Sequence, residues 1–236
     1  MSKLFLVPTP IGNLKDITLR ALDVLNSVNL ILSEDTRISG RLLKHYDIFK
    51  PLKKYNKDNE HQSAQYWIEQ IKAGQKIALI SDAGTPGISD PGFLLSKLCI
   101  SQDIEVECLA GPVAFIPALL SSGIACDRFC FEGFLPHKKG RQKRLQELLD
   151  ENKTIIFYES PHRIEKFISE LHETFGETRQ ACISREISKM HEEHLRGSLG
   201  QLKTALKEKK LKGEIVVIIE GKKSEKKVKL NKYKSE

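Results

Sequence analysis

The stretch Ile77-Ala78-Leu79-Ile80-Ser81-Asp82-Ala83-Gly84-Thr85-Pro86-Gly87-Ile88-Ser89-Asp90-Pro91-Gly92 changes character after its first four residues. Those four are apolar or small and read as a buried strand of a mainly parallel sheet. The remainder, Ser81–Gly92, cannot be a helix interior or a central strand, because Gly84, Gly87, Gly92, Pro86 and Pro91 punctuate it too densely. The glycines permit left-handed backbone and a close approach to a ligand. Asp82 falls where a side chain leaves the carboxyl end of the strand, the ligand edge of an open α/β sheet. A loop that only stops one strand and caps the next helix would have the same punctuation. Its length and polarity favour a ligand.

Upstream, residues 3–7 read as a first strand running into Pro8-Thr9-Pro10-Ile11-Gly12-Asn13, a second rigid turn. Asp16 or Thr18 caps the next helix, whose apolar positions Ile17, Ala21, Leu22 and Leu25 keep helical spacing. A strand at 30–32 ends in Ser33-Glu34-Asp35-Thr36-Arg37, before a helix over 38–46. Capping by Thr36 or Asp35 is the plain reading of that tip. A helix at 60–73 and a strand at 76–80 lead into the opening stretch. Beyond it come a helix at 91–101, a strand at 104–109 and a third glycine–proline turn, Ala110-Gly111-Pro112-Val113-Ala114, before the helix 113–121. Three such turns at strand ends point to one ligand held along one sheet edge. No Gly-x-Gly-x-x-Gly loop and no P-loop occurs, so neither dinucleotide nor ATP binding of those kinds is indicated.

Ser122-Gly123-Ile124 marks a hinge, giving domains at 1–121 and 122–221 and a lysine-rich tail at 222–236. The second half predicts strands at 129–131, 154–158, 179–184 and 214–219, and helices at 141–151, 162–175 and 199–209. Its crossovers are short, so some antiparallel pairing is expected. The net charge of +7 falls entirely in residues 111–236. Lys138, Lys139, Arg141, Lys143 and Arg144 cluster without an intervening acid, which fits a polyanionic partner such as nucleic acid. The tail reads equally as a solvated end or an RNA-gripping arm.

At 236 residues, with 40% apolar and 29% charged, the chain is long enough for one or two stable cores. Five cysteines (Cys99, Cys108, Cys126, Cys130, Cys182) give no disulfide framework, and a reducing, cytoplasmic setting is expected. There is no signal peptide or membrane-span pattern, so no membrane partner is expected. His191 and His194 are three apart, not the four of a zinc-protease helix, and no metal is expected.

Several runs together carry a resemblance: LFLVPTPIGNLKDITLRALDVL (4–25), SEDTR (33–37), SDAGTPGISDPG (81–92), AGPVAFIPAL (110–119), DRFCFEGFLP (127–136), IFYESPHR (156–163) and SREISKMHEEHLRG (184–197). In this order they resemble the bacterial small-subunit rRNA 2'-O-ribose methyltransferase I family, within the tetrapyrrole-methylase-like superfamily, over about residues 3–221. The resemblance implies two α/β domains of the tetrapyrrole methylase type with S-adenosylmethionine in the cleft between them, and a homodimer. It implies a cytidine ribose of the 16S rRNA decoding region as acceptor, in a 30S particle or its precursor. Carried onto this chain, it puts Pro8, Thr9, Pro10, Gly12, Asn13, Asp82, Ala83, Gly84, Gly111, Pro112 and Ala114 beside the cofactor. Glu34, Asp35, Arg37, Glu186 and Lys189 become the catalytic candidates, unranked as proton acceptors.

Arg37 either orients the RNA backbone or pairs with Glu34. Arg185 joins the basic cluster as an RNA ligand, and Phe134 either stacks a displaced base or packs in the core. Two departures stand out: Val113 replaces a smaller or polar residue, and the further C-terminal helical region common in relatives is not present, which puts more of the RNA grip on 137–144 and the tail. A tetrapyrrole or protein acceptor, or a non-catalytic RNA-binding assembly protein, are the alternatives.

Overall fold

The computed structural model describes residues 3–223; the lysine-rich tail from 224 onward lies outside the described residues. By contacts the chain divides into two units. The first comprises residues 1–118 together with 184–193, and the second comprises 119–183 and 194–236. The polar stretch 184–193 therefore packs with a unit to which neither of its flanking segments belongs.

The first unit holds one five-stranded sheet built from β1 (Lys3–Leu6), β2 (Leu30–Ser33), β3 (Leu52–Lys54), β4 (Lys76–Ile80) and β5 (Glu105–Cys108) in the order β3-β2-β4-β1-β5. All four pairings are parallel. Every strand therefore delivers its C-terminal turn to the same edge, and successive side chains alternate between two buried faces. Leu4, Leu32, Ile77 and Leu79 pack with Trp67, Ile68 and Ile71 of α3 (Glu60–Lys72) and with Leu95 and Cys99 of α4 (Phe93–Ser101). On the other face Val7, Ile31, Ala78 and Ile80 pack with Ala21 and Leu25 of α1 (Leu19–Ser27) and Leu43 of α2 (Thr36–His45). Thr18, not Asp16, caps α1, its hydroxyl accepting the Ala21 N–H at 3.0 Å. The chain leaves this unit through α5 (Phe115–Ser122).

The second unit has its own sheet, β6 (Phe129–Phe134), β7 (Thr154–Glu159), β8 (Gln180–Arg185), β9 (Glu193–Ser198) and β10 (Ile215–Ile219), ordered β6-β7-β10-β8-β9. β6 pairs parallel to β7, and β10 antiparallel to β7, the mixed pairing that the short crossovers predict. Ile155, Phe157, Ile183 and Val217 form one core with α6 (Arg141–Glu147), α7 (Ile164–Phe175) and α8 (Leu199–Glu208). The helix expected over 141–151 stops at Glu147. β3 and β9 were not expected from the sequence. Both are terminal strands of their sheets, a position where polar residues are tolerated.

Arg141 corrects the expected basic cluster. Its guanidinium is buried, donating from Nη2 to Glu159 (3.0 Å) and from Nε to Glu170 (2.7 Å), and it lies 4.8 Å from the Phe167 ring centre. It fastens α6 to β7 and α7 and is not available to RNA. Arg144 is held by Glu132 (2.7 Å) and Glu147 (2.9 Å), which together push its pKa further up. The cluster that has no acid in sequence thus gains four in space.

Candidate active site

Four C-terminal turns meet at the edge of the parallel sheet, and each is tied to a neighbour. Thr9, after β1, and Gly84, after β4, exchange backbone hydrogen bonds of 2.9 and 3.0 Å. The buried Thr9 hydroxyl donates to the Ser81 carbonyl (3.1 Å), and Ser81 Oγ donates to the Gly84 carbonyl (2.9 Å). Thr85 Oγ1 reaches the Pro112 carbonyl in the turn after β5 (2.8 Å). Gly111 completes this tie: a Cβ there would stand 2.5 Å from Pro8 Cβ. A Cβ on Gly84, at φ +83°, would stand 3.3 Å from Ile11 Cγ2 and 3.6 Å from the Pro112 carbonyl oxygen. At the β2 end the Asp35 N–H donates to Asp82 Oδ1 at 3.0 Å. The first-unit candidates of the sequence therefore converge on one rim. Ser81 and Thr85, not singled out from sequence, cross-link it, and the only local signal was the Thr85 hydroxyl next to Gly84.

The segment 184–193 packs onto the first of these turns. A Cβ on Gly12 would collide with Lys189 Cγ and come within 3.1 Å of the Ile187 carbonyl oxygen. Lys189 Nζ lies 3.0 Å from Glu186. Ser188 Oγ donates to Asp16, and the Ser188 N–H donates to Glu192 at 2.7 Å. Glu186 and Ser188 both have positive φ (50° and 65°), a costly conformation for side-chain-bearing residues that persists only where the surroundings enforce it. Arg185 bonds the His191 carbonyl (3.2 Å) and faces Glu193 (3.5 Å).

At the β2 tip the carboxylate that Arg37 pairs with is Asp35 and not Glu34. Arg37 pairs with Asp35 (Nη2–Oδ2 2.6 Å), and Asp35 also caps α2 by accepting the Arg37 N–H at 2.8 Å. These hydrogen bonds hold the Asp35 carboxyl well below the usual carboxylate range. Burial, then the charge of Asp82, pushes Glu34 up, against the pull of Lys57. Burial also raises Asp82, with the Asp35 N–H working against it. Two partly desolvated carboxylates thus sit beside a rim of backbone turns. Among the described residues no cluster of three or more His, Cys, Asp or Glu is arranged to hold a metal ion.

Residues 3–203 match the model of the Tetrapyrrole (Corrin/Porphyrin) Methylases. The chain belongs to that family. Among its relatives, the ribosomal RNA small subunit methyltransferase I of Pasteurella multocida is 50% identical over 222 residues, covering 93% of this chain and 79% of that one. The protein of the same name from Escherichia coli O157:H7 is 46% identical over 226 residues, covering 94% and 79%. That from Thermotoga maritima is 44% identical over 222 residues, covering 94% and 100%. Of solved structures, a diphthine synthase superposes with a TM-score of 0.73 at 14% identity, covering 95% of this chain and 92% of that one. The uroporphyrin-III-C-methyltransferase of Thermus thermophilus gives 0.66 at 17%, covering 92% and 94%. These two likenesses speak for the tetrapyrrole methylase fold.

This methylase is an enzyme, and the methyl donor of its family is S-adenosylmethionine. The rim fits that donor chemically. Its sulfonium and ammonium are cations, and Asp82 is a carboxylate whose raised pKa marks a site that a cation would relieve. Gly84 and Gly111 keep the turns free of side chains where backbone must approach closely. A folded-state pKa above the unfolded one means that protonation favours the fold, so this stabilisation is present below the ordinary value near 4.5 and is lost as pH rises through the elevated one. Glu34→Gln is therefore expected to raise the Tm of the cofactor-free protein at neutral pH. The difference from wild type should shrink as pH falls and Glu34 protonates. A Tm lowered at neutral pH would contradict the burial of this carboxylate.

Proposed function

We propose that this methylase transfers a methyl group from S-adenosylmethionine to the ribose 2'-OH of a cytidine in the decoding region of 16S rRNA, acting on a 30S particle or its precursor in the cytoplasm. The observation that carries the reading is the joining of the four strand-end turns around Asp82 and Glu34, in a chain about half identical to proteins named as small-subunit rRNA methyltransferases. Lys138 and Lys139, exposed on the loop before α6, support an RNA acceptor over a tetrapyrrole or a protein.

When bound, the donor supplies a methyl on a positively charged sulfur that leaves as a neutral thioether. The chain's own task is to align the acceptor oxygen and to take its proton. We assign the proton to Glu34, because an acceptor needs a pKa raised toward the working pH, and Glu34 has one. Asp35, held low by Arg37, is a poor acceptor. The Glu34 carboxylate would take the acceptor hydroxyl's proton while the turns of the rim would hold the donor. Glu186 holds Lys189 against the Gly12 turn, where the ammonium can orient a sugar–phosphate oxygen. Pro8, Thr9, Pro10, Gly12, Asn13, Asp82, Ala83, Gly84, Gly111, Pro112 and Ala114 hold the donor.

A second copy is proposed to cover α4, whose Phe93 (71%) and Ile100 (64%) are exposed on an apolar helix. Among the described residues no helix is long and apolar enough to cross a membrane.

The test is methyl transfer from labelled donor to 30S particles and to naked 16S rRNA, mapped by nuclease digestion. Label in a 2'-O-methylcytidine of the decoding region is the expected result. Label confined to protein, or absent from both substrates despite tight donor binding, would overturn the reading.

A further inference from the structure

Strands alternate their side chains, so Phe129 and Phe131 of β6 share a face and Phe134 would fall on the opposite one. The pairing with β7 prevents this. Phe129 pairs with Thr154 and Phe131 with Ile156, then the register shifts, so that Gly133 pairs with Phe157 and Phe134 with Tyr158. One extra residue, Glu132, is absorbed as a bulge, and Gly133 takes the left-handed backbone (φ +59°) that such a kink requires. The consequence is that Phe131 and Phe134 stand on the same face as Tyr158, away from the core that holds Ile155 and Phe157. Their ring centres lie 5.0 and 5.5 Å from the Tyr158 ring. β6 is the edge strand of its sheet, and Phe134 remains 53% exposed.

The chain leaves Phe134 directly into Leu135-Pro136-His137-Lys138-Lys139-Gly140. Both ends of that loop are anchored by one buried carboxylate. Glu159, 1% exposed, binds Arg141, which also reaches the Pro136 carbonyl at 3.4 Å, and Arg163, which contacts the His137 ring. Lys138 and Lys139 are exposed on this mount, at most ~14 Å and ~18 Å of extended chain from Phe134. An exposed aromatic face beside fixed lysines is the arrangement that stacks an unpaired base and holds the flanking phosphates. A duplex keeps its base faces covered.

We infer that the β6 edge is a single-strand RNA subsite, with Phe134, supported by Tyr158, stacking one unpaired base and Lys138 and Lys139 taking the adjacent phosphates. It rests on the proposal of an RNA acceptor and narrows the substrate to an unpaired stretch. Pre-anchoring of the loop reduces the ordering cost of that contact. Phe134 points away from the core and Lys138 and Lys139 are solvent-exposed, so these side chains are separable from the fold.

The experiment measures binding of the full-length protein to a short fluorescent unpaired oligoribonucleotide and to a blunt RNA duplex across a salt series. Phe134→Ala and Phe134→Leu should each weaken single-strand binding about tenfold, and Phe134→Trp should restore it, with the salt slope and duplex binding unchanged. Lys138→Gln with Lys139→Gln should instead reduce the salt slope by about 1.4, the value for two phosphates on a single strand. Unchanged single-strand affinity in Phe134→Ala, equal loss on the duplex, or a shift in self-association by sedimentation would each overturn the inference, the last by assigning the face to a second copy. Donor binding and methyl transfer by the wild type are measured separately. Failure of the methylation reading would therefore appear there, and failure of this subsite in the Phe134 series.

Discussion

Arg141→Ala is expected to cost the second unit about 3–5 kcal/mol, the usual penalty for removing one partner of a buried ion pair. At roughly 2–4 °C per kcal/mol for a chain of this size, the fall in Tm is about 6–20 °C. The reason lies in what remains. Glu159 and Glu170 are both buried, and both accept from this one guanidinium. Arg163 still serves Glu159 at 2.7 Å, but among the described residues Glu170 keeps as its ion-pair partner Lys166, at 3.9 Å. Arg141→Lys should do nearly as much damage, because a point charge cannot reproduce a fork that spans two carboxylates. Arg141→Met combined with Glu170→Gln should recover part of the loss, because the second change removes the orphaned charge. Thermal unfolding of these variants beside wild type checks this. A loss under about 2 °C for Arg141→Ala would mean that water reaches the pair and that the network is effectively a surface one.

The same residue marks where sequence reading stops. Five basic residues between 138 and 144 look alike as a string, and helical spacing alone does not say that Arg141 faces inward while Lys143 stays in solvent. That is decided by Glu159 and Glu170, 18 and 29 residues away. The buried strands were legible because parallel strands covered on both faces must be continuously apolar: residues 76–80 coincide with β4, and 30–32 lie within β2. β3 and β9, polar and at sheet ends, carry no such signal. The rim was legible in outline, since glycine and proline cluster only where backbone must bend or be approached. Its stitching was not, because Thr85 to Pro112 and Asp82 to Asp35 are contacts between turns far apart in sequence. Nor does any local pattern place residues 184–193 against the Gly12 turn. The absent side chain of Gly12 becomes informative only once Lys189 is known to lie over it.

Asp82 is where the mechanical and electrostatic roles of the rim can be separated. Asp82→Ala removes both the acceptor that fixes the Asp35 N–H and a negative charge at the donor's proposed position. Its S-adenosylmethionine Kd is expected to rise about 10–100-fold, equivalent to about 1.4–2.8 kcal/mol. Asp82→Asn retains an oxygen that can accept the Asp35 N–H and loses only the charge. If holding the β2 tip were all that Asp82 does, the asparagine variant would bind donor like wild type. If it supplies charge to a cationic ligand, asparagine should lose most of what alanine loses, and added salt should compress the difference only slightly at a partly buried site. Calorimetry with S-adenosylmethionine and with its neutral-sulfur product, S-adenosylhomocysteine, tells the two apart. The charge role predicts a larger loss for the sulfonium than for the thioether, whereas the mechanical role predicts equal losses. RNA affinity should stay within about twofold in both variants, since Asp82 is not among the proposed RNA contacts, Lys138, Lys139, Phe134 and Lys189. Wild-type donor affinity in a folded Asp82→Ala protein would remove this carboxylate from the cofactor site. The case for the rim would then rest on the Thr9–Gly84 and Thr85–Pro112 ties alone.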